Sequence, residues 1–426
     1  MVNYLVTTLR NGLTCILCPF ENFRSVYFDL AVRVGVRYEA KNMVGLSHLT
    51  EHLVATSVIN SLKKHPWQKH FVATNNFHAY SLVDRTNFEF TIDKKNFASG
   101  ITFLKKILRL SNISHECLQT EKLLVQEEYM NAQEDSKRRF YDFIDREYFG
   151  QNPLAHPISG KTKNLDRFSL DDVRAWRAQY YVPTNMILTV AGGISHDSFQ
   201  ALMNNAFSSF SNLQKRPVTV PFVHRENKVS FFPFSSNQIH FVFYLPVTDI
   251  SAEKNLRFEF LVGVLNEYIF YTLQAKSKVY SVQVDSRTYE EFFNFAIESA
   301  FSPEKTIIFV KSFFHSLSSF LPSFKPKDLN YAKAKFIERI TIDSDYPKEN
   351  ANMIAWYAFM FGTTQILDFA EQEKIISRLT IRDIHADFQS LVASKGALFV
   401  GGKLNNTLTR SIERLWNVYR SSDAIC

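Results

Sequence analysis

Apolar and polar residues alternate from the start of the chain. Leu5 to Leu17 does so around an Asn11-Gly12 pair, which predicts a hairpin. Val26 to Val34 is a denser apolar run stopped by Gly35, and it predicts a strand. Behind Asn42 and Gly45 the next segment carries apolar positions through Val54 and Ile59 and reads as a helix. Phe71 to Ile92 returns to strand patterning, as two strands joined by a polar turn at Asp84-Arg85. Asn96 to Leu110 predicts an amphipathic helix, and Ser114 offers an N-cap to a further one through Leu118, Leu124, Val125 and Met130.

The second half repeats the first. Phe168-Ser-Leu-Asp-Asp-Val173 recurs as Leu379-Thr-Ile-Arg-Asp-Ile384, an offset of 211 residues from Phe168 to Leu379. Leu118 and its helix meet Leu329 to Glu338 at the same offset, and Leu188 to Gly193 matches Ala397 to Gly402 at a slightly smaller one. Two domains of like fold are therefore expected, 1–213 and 228–426, with a linker at 214–227 punctuated by Pro217 and Pro221.

Composition adds limits. A length of 426 residues exceeds one hydrophobic core, and the 40 Phe fall largely at strand or helix spacing, so they read as core. The net charge of +7 is small for this length, and no Lys or Arg run is long enough to argue for nucleic acid. The first residues lack the pattern of a signal peptide, and no apolar run reaches the ~18 residues of a transmembrane segment. Cys15, Cys18, Cys117 and Cys426 form no disulfide framework. The Cys15-Ile-Leu-Cys18 run has no second pair to complete a metal site, so a structural role and a reducing, cytoplasmic home are expected.

Candidate chemistry concentrates in His48-Leu-Thr-Glu51-His52. On a helix, four residues make about one turn, so the two imidazoles project side by side with Glu51 on the same face. Neutral imidazoles suit zinc, and a catalytic zinc needs a third protein ligand and an open position. Glu51 is too close in sequence to be a comfortable ligand, but it can take a proton from water. The helix after Ser114 offers Glu121, Glu127 and Glu128. A seven-residue step turns about 700°, nearly two full turns, so Glu121 and Glu128 share a face while Glu127 points elsewhere. At the offset of 211, Glu121 and Glu128 fall on Ala332 and Arg339, and the histidine pair falls near Glu259 to Gly263, which holds no histidine. The repeat thus carries the scaffold without the chemistry.

His48-x-x-Glu51-His52 followed by Glu128, with Glu121 two turns before it, resembles the pitrilysin or insulinase-type zinc metallopeptidases, the inverzincins. Val32 to His52 is similar to that family's strand, turn and metal helix, with Gly35, Arg37 and Glu39 in the turn positions. Pro157 to Gly160, Phe168 to Val173 and Tyr180 to Gly193 resemble the end of its first domain. The size of the chain is similar to the short branch that includes the mitochondrial processing peptidases and their bacterial relatives. The resemblance implies an α+β fold of two homologous domains, each a mostly antiparallel sheet packed with helices, forming half of a clamshell chamber. It also implies one zinc ion per chain on His48, His52 and Glu128, with Glu51 as the base and Glu121 supporting a ligand. The expected activity is endoproteolysis of small peptides or peptide precursors, including bacteriocin-type maturation.

Two positions depart from the family pattern. Its second domain supplies an Arg and a Tyr that engage substrate; Tyr280 matches the Tyr, but the Arg position holds Leu273 or Gln274. Tyr280 reads equally as a half-buried strand aromatic. The family's substrate strand has Asn before Ala, and here the pair is His78-Ala79. His78 either bonds a substrate carbonyl or is a surface strand residue. The missing Arg points to a partner subunit, making a heterodimer or homodimer with a peptide as substrate. The other reading is a non-catalytic member that binds a peptide or stabilises a partner; an intact Glu51 argues against it.

Overall fold

The structure is a computed structural model that describes residues 4–62, 77–109, 113–207, 210, 228–277, 282–290, 292–394 and 396–421. In chain order the first half runs β1 (Leu5–Thr8), β2 (Thr14–Pro19), β3 (Ser25–Val32), α1 (Leu46–Leu62), β4 (Phe77–Ser81), β5 (Thr86–Asp93), α2 (Phe97–Arg109), α3 (His115–Glu134), α4 (Ser136–Phe149), α5 (Thr162–Leu165), α6 (Leu170–Tyr180), β6 (Met186–Gly192) and α7 (His196–Phe207). The second half runs β7 (Lys228–Pro233), β8 (Ile239–Thr248), α8 (Ala252–Ser277), β9 (Val282–Thr288), β10 (Phe292–Phe301), α9 (Thr306–Ser323), α10 (Pro326–Ser344), α11 (Pro347–Phe361), α12 (Phe369–Arg378), α13 (Ile381–Ala393), β11 (Ala397–Gly402) and α14 (Asn406–Ser421). The fold is α+β, as the family resemblance implies.

The first unit is built on a sheet in the order β1-β2-β6-β3-β5-β4, antiparallel except for β2 beside β6. The β1–β2 hairpin turns at Gly12, whose φ of 88° favours glycine, while Asn11 accepts from the Leu13 N–H and donates to the Phe207 carbonyl. Period-two alternation sends Val26, Phe28, Leu30 and Val32 of β3 into the core with Leu49 and Leu53 of α1. Tyr27, Asp29 and Ala31 face the other way, where α11 lies against β3 and β6. Cys15 and Cys18 sit on opposite faces of β2, both fully buried, and burial pushes each thiol up to about 12. Side chains on opposite faces cannot grip one metal ion.

The second unit repeats the plan with five strands, β7-β11-β8-β10-β9, antiparallel except for β7 beside β11. The repeated helices α6 and α13 open with the same device, a capping box of Ser169 with Asp172 and of Thr380 with Asp383. Two helices group away from their sequence neighbours: α4 packs with the second sheet, through β7 and β11, and residues 342–369, including α11, pack with the first. Each sheet has two faces to cover, and local periodicity gives the buried stripe of a helix without saying which sheet receives it. The expected linker at 214–227 lies outside the described residues. No described helix is by itself long and apolar enough to cross a membrane.

Candidate metal centre

The site begins with how α1 is held. Its first turn leaves backbone N–H groups without helical partners. The buried Glu39 carboxylate accepts two from this end, Gly45 at 2.8 Å and Ser47 at 2.6 Å. Burial pushes the Glu39 carboxyl up to about 7, against the pull of those bonds. Gly45 has φ 104°, and a Cβ there would stand 2.7 Å from the Gly160 Cα. Both the backbone angle and the close approach require glycine. The opposing helix α3 is fixed by Lys122, whose ammonium donates to the Asp166 carbonyl at 3.1 Å, and by Gln126, which donates to the Asp166 carboxylate at 2.6 Å.

These supports bring two histidines and a glutamate together. Glu128 Oε2 lies 3.6 Å from His48 Nε2, and its Oε1 lies 3.7 Å from His52 Nε2. One ligand atom from each of the three falls within 4.8 Å of the others. A tetrahedral zinc with legs of 2.0–2.2 Å sets its donors about 3.3–3.6 Å apart, so this donor set fits the ion in type and spacing. Glu127 is exposed on the same helix and takes no part in the group. Burial, reinforced by His52, lowers His48 to about 4, which keeps it neutral and able to ligate. His52 is half-buried; burial lowers its pKa, but the Glu121 bond and the charges of Glu51, Glu128 and Glu121 outweigh this and raise it. Glu121 Oε2 lies 3.1 Å from His52 Nδ1, so it orients the ring with Nε2 turned toward Glu128.

Glu51 is 6% exposed and stands beside the group, with Oε2 4.0 Å from His48 Nε2. Burial pushes its carboxyl up to about 7, with Glu128 adding and His52 and Ser81 opposing. A carboxyl near neutrality can both take and give a proton. Ser81 at the end of β4 donates to Glu51 Oε2 at 3.2 Å. No sequence motif ties Ser81 to Glu51; the available signal is its place two residues after Ala79, on the same strand face of the candidate edge Asn76 to Ser81.

The remaining candidates stand elsewhere. β4 is the terminal strand of the first sheet among the described residues. Ala79 packs against the core with Phe77, while His78 is exposed on the opposite face, paired in register with Glu89. His78 therefore points away from the side of β4 that carries Ser81 and Glu51. Tyr280 lies outside the described residues.

Comparison with known proteins gives a consistent picture. A family model described as insulinase (peptidase family M16) matches residues 21–162, and one described as peptidase M16 inactive domain matches residues 167–336. An uncharacterized zinc protease of Rickettsia felis is 25% identical over 213 residues, 50% of this chain and 52% of that protein. The match thus spans about half the length of such curated relatives. The first half of the periplasmic protease PqqL from Escherichia coli superposes with a TM-score of 0.78 at 16% identity, covering 99% of this chain and 97% of that one. A peptidase M16 inactive domain from Pseudomonas fluorescens gives 0.80 at 13% identity, covering 95% and 98%. At these identities the two structures speak for the fold.

Proposed function

The chain belongs to the insulinase-type peptidase family M16, and from that premise we propose that it is a zinc-dependent endopeptidase acting on small peptides or peptide precursors. The observation that carries this reading is the triangle of His48, His52 and Glu128 with a buried Glu51 beside it. His48, His52 and Glu128 would hold one zinc ion per chain, and the ion would supply Lewis acidity and acidify a water there. Glu51 accepts the proton of the attacking water at its carboxylate and delivers it to the leaving nitrogen, a transfer that its raised pKa suits. Ser81 holds Glu51 in place, and Glu121 orients His52. The peptide binds extended along the edge of β4, adding a strand through main-chain bonds. Ala79 lies on that edge and His78 beside it, where its exposed ring meets the substrate from the far face. A homologous partner subunit supplies the Arg that is missing at the position of Leu273 or Gln274, to act with Tyr280.

Replacement of Glu51 by Gln tests the assignment. The variant is expected to keep its zinc and to lose peptide hydrolysis by about 10²–10⁴-fold; full activity would overturn the role of Glu51. The same assay with and without a candidate partner separates the catalytic reading from that of a peptide-binding member. A chain that holds zinc yet cleaves nothing in either condition would favour the latter.

A further inference from the structure

The face of the first sheet turned away from α1 carries a second group of polar residues. Strand alternation places Tyr27, Asp29 and Ala31 of β3 there, together with Asn87 and Glu89 of β5 and Tyr80 of β4. Helix α11 covers this face but leaves a cavity of about 300 Å³. Asp29, Tyr80, Arg85, Asn87, Trp356 and Phe359 are in its wall. This is the size of a small-molecule site, open on one side and with few convergent polar groups.

Most of the charge here is already matched. Lys348 Nζ lies 3.4 Å from Glu89, and the Tyr80 hydroxyl donates to the same carboxylate. Arg33 stacks 3.9 Å from the Phe359 ring and donates to the Phe359 carbonyl. Two acceptors stand apart. Asp29 is 3% exposed and takes one bond, from Asn87 Nδ2 at 2.8 Å, with no ion-pair partner in direct contact among the described residues. Burial and the Glu89 charge push its carboxyl up to about 7, against Asn87, Arg85 and Lys348. Asn87 Oδ1 is buried without a hydrogen-bond partner. A buried acceptor left empty costs on the order of 1–3 kcal/mol, so this pair is poised for a donor. Arg85 is tied through Nη1 to Asp84 at 3.3 Å and brings a guanidinium to the same cavity. Trp356 and Phe359 give it an apolar wall. On the corresponding face of the second sheet, Tyr244 packs against Tyr148 of α4 at 5.2 Å between ring centres.

We propose that this cavity binds the zwitterion of an apolar α-amino acid. The ammonium sits on Asp29 and Asn87 Oδ1, the carboxylate on Arg85, and the side chain against Trp356 and Phe359. The assignment draws on the peptidase reading only in that peptide cleavage ends in such molecules; binding needs neither a metal nor Glu51, since His48, His52, Glu128 and Glu51 lie across the sheet.

Isothermal titration of the full chain carrying Glu51→Gln with L-leucine and L-phenylalanine tests it. Saturable binding at one site is expected for both, with N-acetyl-leucine and leucine amide each at least about tenfold weaker because one charge of the zwitterion is gone. Asp29→Asn and Arg85→Gln should each weaken leucine by at least about tenfold. Ala355→Leu, which fills the cavity from α11 without touching its charges, should abolish binding at unchanged zinc content. No heat with either amino acid, equal binding of N-acetyl-leucine, or undiminished binding by Ala355→Leu would overturn the assignment. Failure of the peptidase reading appears separately, in the hydrolysis assay on the unmutated chain: binding without hydrolysis leaves this cavity assignment standing.

Discussion

Two places 211 residues apart share a scaffold and differ in how they settle charge. In the first unit, His48 on α1 faces Glu128 on α3. In the second, the same offset puts Glu259 on α8 and Arg339 on α10. Burial raises the Glu259 pKa, and the Arg339 charge together with the Ser286 hydroxyl draws it back. The second pair is thus compensated from within the chain. Among the described residues the charged partners of Glu51 and Glu128 are histidines, so the first unit gathers acceptors with no described Lys or Arg paired to them. Such a cluster becomes favourable when a cation enters it. The helix starts differ likewise. The Ser251 hydroxyl accepts from the Lys254 N–H at 3.2 Å, an ordinary local cap for α8, whereas α1 is held by Glu39 from six residues before Gly45.

The sharpest way to break this comparison is through those caps. Glu39→Ala leaves two buried N–H groups at the start of α1 and should cost about 2–4 kcal/mol in chemical unfolding. It should also weaken zinc, since His48 lies three residues into the helix. Ser251→Ala should cost about 1 kcal/mol and leave zinc affinity unchanged. Equal losses would show that α1 is not specially held. Glu121→Ala comes next: it frees the His52 ring, so metal competition should report a 10–100-fold weaker zinc affinity with the fold intact. The smallest effect belongs to the second unit. Arg339→Ala should cost about 1 kcal/mol or less, because Arg339 is exposed, with zinc content unchanged. The charge of Arg339 favours ionised Glu259, so this cost is present where Glu259 is ionised and fades as falling pH protonates it. A cost that persists in acid would assign it to packing instead.

Much of this was legible in the sequence because it depends on local period. Strand alternation gives β3 its core face, and helical phase separates Glu128 from Glu127 on α3. The repeat of Phe168 to Val173 at Leu379 to Ile384 corresponds to two helices opened by the same capping box. What was not legible depends on contacts between distant segments. Nothing near α4 or α11 says which sheet each covers, since an amphipathic stripe is satisfied by either. Ser81 gained its place beside Glu51 through the register of β4 on β5, which fixes which side chains of the edge strand face α1. The same register turns His78 away from it.

The central claim is that the first unit, and not its repeat, holds a metal for peptide cleavage. X-ray diffraction from zinc-loaded crystals of the Glu51→Gln chain, with data at the zinc absorption edge, tests it most directly. One anomalous peak per chain is expected, about 2.0–2.2 Å from ligand atoms of His48, His52 and Glu128. A peak near Glu259 and Arg339, or none at the three ligands, would contradict the account.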